Sequence, residues 1–237
     1  MTRRTILAAT LGLLLSGASF SGHAALLSLA QLNNLLPTFE TRMETIFNVT
    51  AGTEVSQLQN IEFLSVITLP DPASYLHINN VTEQEDLLTH NTLGIPVGPS
   101  VITAYIVESV SHCGNSNSGY VGCAGQPGDA FYVEGSFLSQ SLGDELFAHE
   151  LGHTFDLRHD GLLDTNLMYF QVGNNRDDLN EAQIAKLNED VRNNIVNNTV
   201  TIQPVLLTAP VPLPPALLLF GLPAVALTVF GGARRRT

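Results

Sequence analysis

Residues 149–160 read His-Glu-Leu-Gly-His-Thr-Phe-Asp-Leu-Arg-His-Asp. His149 and His153 are four positions apart, so on a helix they project from one face about one turn apart. Two imidazoles so placed can grip one ion. Glu150 follows His149 and can point toward the same cavity. His159 comes six residues after His153. A chain that leaves the helix near Asp156 and turns brings it back as a third imidazole. Asp156 or Asp160 is the alternative source of a third ligand, through oxygen. Zinc suits three imidazole nitrogens, because it accepts them tetrahedrally and keeps a fourth position open for water. The chemistry that follows is hydrolysis by a metal-activated water, with Glu150 as general base and then general acid.

Met168, in Leu167-Met168-Tyr169, lies nine residues after His159. The whole pattern resembles the metzincin zinc metallopeptidases, whose signature is His-Glu-x-x-His-x-x-Gly-x-x-His followed by a Met-containing turn. Asp160 after the third His is similar to the reprolysin-like branch, and Leu-Met-Tyr to the matrixin form of the turn. The resemblance covers about residues 100–195, and its specificity sits in 149–169. One position departs: Asp156 stands where the family has Gly, whose role is to end the helix with φ > 0.

The resemblance implies an α+β zincin domain: a mixed twisted sheet with a backing helix, an active-site helix and a C-terminal helix. It implies an endopeptidase holding one catalytic zinc ion on His149, His153 and His159, with Glu150 catalytic. Met168 would be a hydrophobic base beneath the ligands, and Tyr169 a packing or stabilising residue. A protein or peptide substrate would lie extended along a rim strand, for which 129–138 is the natural candidate. The competing reading is a non-catalytic metal-binding protein of the envelope or extracellular matrix. Calcium binding is open, since no EF-hand or Gly-Asp repeat arranges the acidic residues.

Several elements must position these groups. Apolar residues spaced three and four apart from Leu32 to Phe47 suggest an amphipathic helix over 26–47, interrupted near Pro37. Residues 61–69, 101–110 and 129–138 read as strands. Residues 81–93 read as a helix with an acidic first turn. Ser141 can cap a helix over 141–155, with Asp144 as the capping-box acid. Residues 178–196 read as a further helix, and 197–210 as a linker. His23, His77, His90 and His112 lack ligand spacing and read as surface residues.

Charge narrows the partners. The formal net charge is −12, from ten Lys+Arg against 22 Asp+Glu. All the acids lie between Glu40 and Asp190, while Arg3, Arg4, Arg234, Arg235 and Arg236 sit at the ends. So acidic an interior repels nucleic acid and anionic lipid. With 44% hydrophobic and 14% charged residues, the chain is not largely disordered.

The two ends read as addresses. Residues 1–24 have a positive start (Arg3, Arg4), a short apolar run from Ile6 to Leu15, and small residues at Gly22 and Ala24. This is the pattern of a cleaved secretory signal; the alternative is an uncleaved anchor. Export permits a disulfide between Cys113 and Cys123 across a Gly/Asn/Ser-rich segment; the alternative is a thiol that blocks the metal site. Near the other end, Val211-Pro212-Leu213-Pro214 precedes an apolar run from Leu217 to Phe230 and three terminal arginines. This tail resembles the PEP-CTERM class of bacterial sorting signals, in its Val-Pro-Leu-Pro variant. The resemblance implies an exosortase-type partner and a Gram-negative host; the alternative is a plain membrane anchor. The expected organisation is a leader at 1–24 and a metallopeptidase domain at 25–203, of which 25–59 is an N-terminal helix or a pro-segment. A linker and sorting segment follow at 204–237. The expected location is the periplasm, cell envelope or exterior.

Overall fold

The computed structural model describes residues 27–70, 75–89, 93, 95, 101–114, 119–161, 163–173, 175–194 and 198–208. The leader at 1–24 and the apolar tail from 211 onward lie outside the described residues. Among the described residues no helix is long and apolar enough to cross a membrane.

The chain begins with helix α1 (Leu29–Phe47), then the short strands β1 (Thr50–Ala51) and β2 (Glu54–Val55), then β3 (Asn60–Phe63) and β4 (Ile67–Pro70). There follow β5 (His77–Ile78), α2 (Val81–Leu88), β6 (Val101–Val107), β7 (Ser109–Val110), β8 (Gly122–Ala124) and β9 (Ala130–Glu134). Helices α3 (Gly135–Leu138), α4 (Gly143–Thr154) and α5 (Glu181–Asn194) precede a last strand, β10 (Thr199–Thr208). The expected α+β class holds: several helices pack around one mixed sheet.

That sheet runs β3-β10-β6-β9-β8, with β4 also paired to β10. All its pairings are parallel except β8 with β9, so β8 is an antiparallel edge. Alternate residues divide the core into two layers. Ala104, Ile106, Phe131 and Val133 face the cluster that holds the buried sides of α1, α4 and α5. Tyr105, Val107, Ala130 and Tyr132 face a second cluster with Leu87 and Leu88 of α2.

Residues 199–208 were expected to be a linker and instead form the strand beside β6. Buried on both faces, such a strand carries a continuous apolar run rather than an alternating one. The run Pro204-Val205-Leu206-Leu207 is that signature, and it carries the folded unit past the expected boundary at 203. β10 also explains why 61–69 is two strands rather than one. Its register moves from Ile202↔Phe63 to Val205↔Ile67, leaving three residues opposite two. The break falls at Pro204, which has no N–H for a ladder. The Gln203 amide fills the gap by donating to the Ser65 carbonyl at 2.8 Å.

Other boundaries move for local reasons. Helix α1 runs through Pro37 without interruption. An internal proline costs about 3 kcal/mol, but α1 buries Leu32, Leu36, Phe39, Met43, Ile46 and Phe47, each worth roughly 1.5–3 kcal/mol. Burial wins. This helix is therefore part of the core. Helix α4 is entered through Leu142 with no side-chain cap, so Ser141 does not cap it. The preceding strand ends at Glu134 and passes straight into α3. Strand 101–110 breaks at Glu108, where β7 leaves the main sheet to pair with β5.

Helix α4 is fixed from behind by aromatic rings. Phe147 meets Phe39 at 5.6 Å, Phe63 at 5.5 Å and Phe131 at 4.8 Å between centroids. Arg42 of α1 adds an ion pair to Asp177 at 2.7 Å and lies 3.8 Å from the buried Glu145. Burial, and then the neighbouring Asp144, push the Glu145 carboxyl up to about 7.

Two outcomes follow. Phe147→Ala removes the shared ring of this cluster and is expected to cost about 3–5 kcal/mol in urea unfolding. Glu145 binds its proton more tightly folded than unfolded, so its presence makes stability fall as pH rises from about 4.5 to about 7. Glu145→Gln removes that loss. Urea midpoints of the variant relative to the parent should therefore rise between pH 4.5 and pH 7.5.

Candidate metal centre

His149 and His153 lie on the side of α4 that faces away from the Phe147 cluster, while Glu150, three residues after Phe147, lies on the flank toward Gly122 of β8. His149 and Glu150 are buried, His153 is half-buried and His159 is exposed. One nitrogen from each of the three histidines falls within 4.8 Å of the others. His149 Nε2 stands 3.3 Å from His159 Nε2, and His153 Nε2 stands 3.1 Å from it. The structure thus brings together the three imidazoles expected from the sequence.

The outer nitrogens decide what the inner ones can do. His149 Nδ1 donates to the Leu167 carbonyl at 2.7 Å, and His153 Nδ1 to the Leu157 carbonyl at 2.8 Å. A carbonyl only accepts, so each Nδ1 carries the proton and each Nε2 presents a lone pair. Burial pushes His149 down to about 3, with His153 beside it adding to the effect. Burial also pushes His153 down to about 4 and lowers His159. The rings are neutral near pH 7, and their lone pairs converge at short range. One proton on His159 satisfies only one of the two close contacts; a cation between the rings satisfies all three. The donor set therefore fits a metal ion.

His159 returns because of Asp156. Asp156 has φ 59°, the left-handed conformation that Gly would take at this position. Aspartate enters this region more readily than most residues. Its carboxylate lies 3.4 Å from Lys186 Nζ. Asp160 Oδ2 accepts from the Asn180 amide at 2.7 Å. The two carboxylates weighed as alternative ligands are thus turned toward α5, outside the imidazole cluster.

Met168 lies beneath α4. A Cβ on Gly152 would fall 2.6 Å from Met168 Sδ, so glycine lets the thioether pack directly under the helix. Tyr169 packs against Phe170, and the Arg176 guanidinium carbon lies 4.4 Å from the Tyr169 ring centre. His112, expected at the surface, is only 8% exposed. It follows β7, which β5 covers, and its carbonyl accepts from the Tyr132 hydroxyl at 2.8 Å. His77 is half-exposed, and His23 and His90 lie outside the described residues.

Several contributors carry no motif. The side-chain amides of Asn166 and Gln183 bond each other twice, at 2.8 and 3.1 Å, and Asn166 Oδ1 also accepts from Met168 N–H at 2.8 Å. Gln183 and Asn180 cap α5 reciprocally, each side-chain oxygen accepting the other's N–H at 2.9 Å. This network fixes segment 166–168 and hence the carbonyl that orients His149. The pairing Asn180…Gln183 is a capping signal that could have been read in the sequence; the Asn166 contact could not.

A cleft of about 500 Å³ opens over the histidines. Tyr120, Gly122 and Ala124 line it, together with Phe170, Gln171 and Val172. The strand bordering it is β8, not 129–138: β9 is paired on both sides, while β8 has no second partner among the described residues. Cys113 and Cys123 stand at disulfide distance, 2.01 Å between sulfurs, and tie this edge to the segment after β7. Glu150 also lines the cleft, and burial pushes its carboxyl up to about 8.

Comparison with known protein families, with curated proteins and with solved structures finds no match. The functional reading therefore stands on the residues themselves.

Asn166→Ala leaves the Gln183 amide and the Met168 N–H unpartnered in the core and is expected to cost about 2–4 kcal/mol. It should also weaken metal binding by roughly 10-fold or more, since it frees the carbonyl behind His149. Urea unfolding and metal titration of the folded variant check the two effects.

Proposed function

We propose that this chain is an exported zinc endopeptidase of metzincin type. The observation that carries the reading is the convergence of three imidazole Nε2 atoms beside a buried carboxyl group in an open cleft. His149, His153 and His159 would hold the ion. Their all-nitrogen set suits zinc, and three protein ligands leave a coordination position free, as catalytic rather than structural zinc sites do. Support for the metzincin type comes from the third histidine following a left-handed residue and from Met168 packed under the helix.

Zinc, when bound, supplies Lewis acidity that lowers the pKa of water and polarises a peptide carbonyl. Glu150 takes the proton of the attacking water. It holds that proton in a buried site and delivers it to the amine nitrogen as the C–N bond breaks. Burial alone raises this carboxyl; the nearby cation would draw it back toward neutrality, where a group that both takes and gives a proton works best. His149 and His153 keep their orientation through the Leu167 and Leu157 carbonyls. The edge of β8 that has no partner among the described residues offers an extended peptide its main-chain N–H and C=O groups.

The same proposal puts this activity outside the cytoplasm, supported by the leader pattern at 1–24 and the tail pattern from Val211. The leader directs export, and the C-terminal tail is the sorting segment read by an exosortase-type enzyme.

The test is cleavage of an unfolded protein substrate by the zinc-loaded protein. Chelation should stop it and added zinc restore it. Glu150→Ala should keep zinc at one equivalent while turnover falls about 10²–10⁴-fold. A variant that still cleaves at the parent rate sinks the mechanism. Zinc bound without cleavage in the parent protein would favour a non-catalytic metal-binding role instead.

A further inference from the structure

Glycine weakens a strand, because it has no side chain to pack and loses the most freedom on folding. Gly122 nevertheless sits buried within β8, opposite Val133 of β9. Its backbone does not require glycine: the described glycines with positive φ are Gly52, Gly114 and Gly119. What the position requires is room. A Cβ on Gly122 would fall 2.6 Å from Oε1, 2.8 Å from Cγ and 2.9 Å from Cδ of Glu150. All three separations are shorter than carbon tolerates, so a side chain there must displace something.

The strand is the less mobile partner. β8 is paired to β9 at Gly122, Cys123 and Ala124, and Cys123 is bonded to Cys113. The Glu150 carboxylate is held more weakly. It is 5% exposed, and its Oε2 has no hydrogen-bond partner among the described residues. A side chain at 122 would therefore turn the carboxylate out toward the cleft, rather than break the sheet.

We infer that Gly122 is a positioning residue for Glu150: by carrying no side chain, it reserves the space that holds the carboxylate between the edge strand and α4. Its consequence for turnover rests on the peptidase reading; the spatial relation does not. The glycine also sets how closely a substrate lying along β8 approaches the proton-transferring group, since the carboxylate occupies the volume a side chain at 122 would fill.

The experiment compares Gly122→Ala in three backgrounds of the zinc-loaded protein. Beside native Glu150, kcat should fall about 100-fold, the cost of a misplacement near 1 Å, with KM within about threefold and zinc stoichiometry unchanged. Beside Glu150→Asp, whose shorter side chain withdraws from the crowded volume, the same substitution should cost less than about threefold more. Parent-level kcat in Gly122→Ala overturns the inference, and so does an equal loss in both backgrounds. Thermal unfolding supplies a readout independent of turnover. Gly122→Ala should lower Tm by about 2–4 °C beside Glu150 and raise it beside Glu150→Ala, where the volume is vacant. If the parent protein cleaves nothing, the peptidase reading fails alone and this cycle decides. A reversal of sign upholds the reserved space, and the same sign in both backgrounds overturns it.

Discussion

Two backbone carbonyls govern this molecule's candidate chemistry. Leu167 and Leu157 each accept a proton-bearing Nδ1, and so oblige His149 and His153 to turn bare Nε2 atoms toward a common point. Everything around them serves to hold those carbonyls still. The Leu167 carbonyl belongs to a segment locked by Asn166 and Gln183. The Leu157 carbonyl lies just past the left-handed Asp156 and also accepts from the Gln126 side chain at 3.0 Å. Helix α4 cannot rotate to relieve the crowded imidazoles, because Phe147 on its far side is wedged among three other rings. A buried aromatic cluster and a cluster of lone pairs share one helix, and the first stabilises what the second destabilises.

The part of the site that could be read in the sequence is the part set by local geometry. The spacing of His149 and His153 fixes their common face, because a helix has one pitch. The return of His159 was also within reach, since it needs only that the chain leave the helix near Asp156 and turn. Asp156 could be identified as the odd residue, but not that it would adopt the glycine-like conformation. That depends on the pull of Lys186 and on packing from α5. Asn166, Gly122 and the walls around Phe170 were out of reach for a different reason. Their importance comes from contacts with residues distant in sequence, and neither spacing nor composition encodes those.

The same division runs through the fold. Amphipathic helices, and strands with β-branched residues, announced themselves by period. Errors fell where burial is two-sided or where tertiary packing overrides propensity. β10 was read as a linker because an uninterrupted apolar stretch has no alternating face to detect. Helix α1 was expected to break at Pro37, whose local cost is real but smaller than the burial on either side of it. Edge strand β8 is only three residues long, too short to show any pattern, yet it forms the wall against which Glu150 rests.

The position of β10 has a temporal meaning. It is the last described element along the chain, yet it lies between β3 and β6 in the sheet. A chain delivered N-terminus first offers every other described strand before this one. Until it arrives, β3 and β4 lack the strand they pair with and β6 lacks one of its two partners. Assembly of the sheet is thus gated by this strand, and the cleft over the histidines acquires its rigid frame only once β10 has been added.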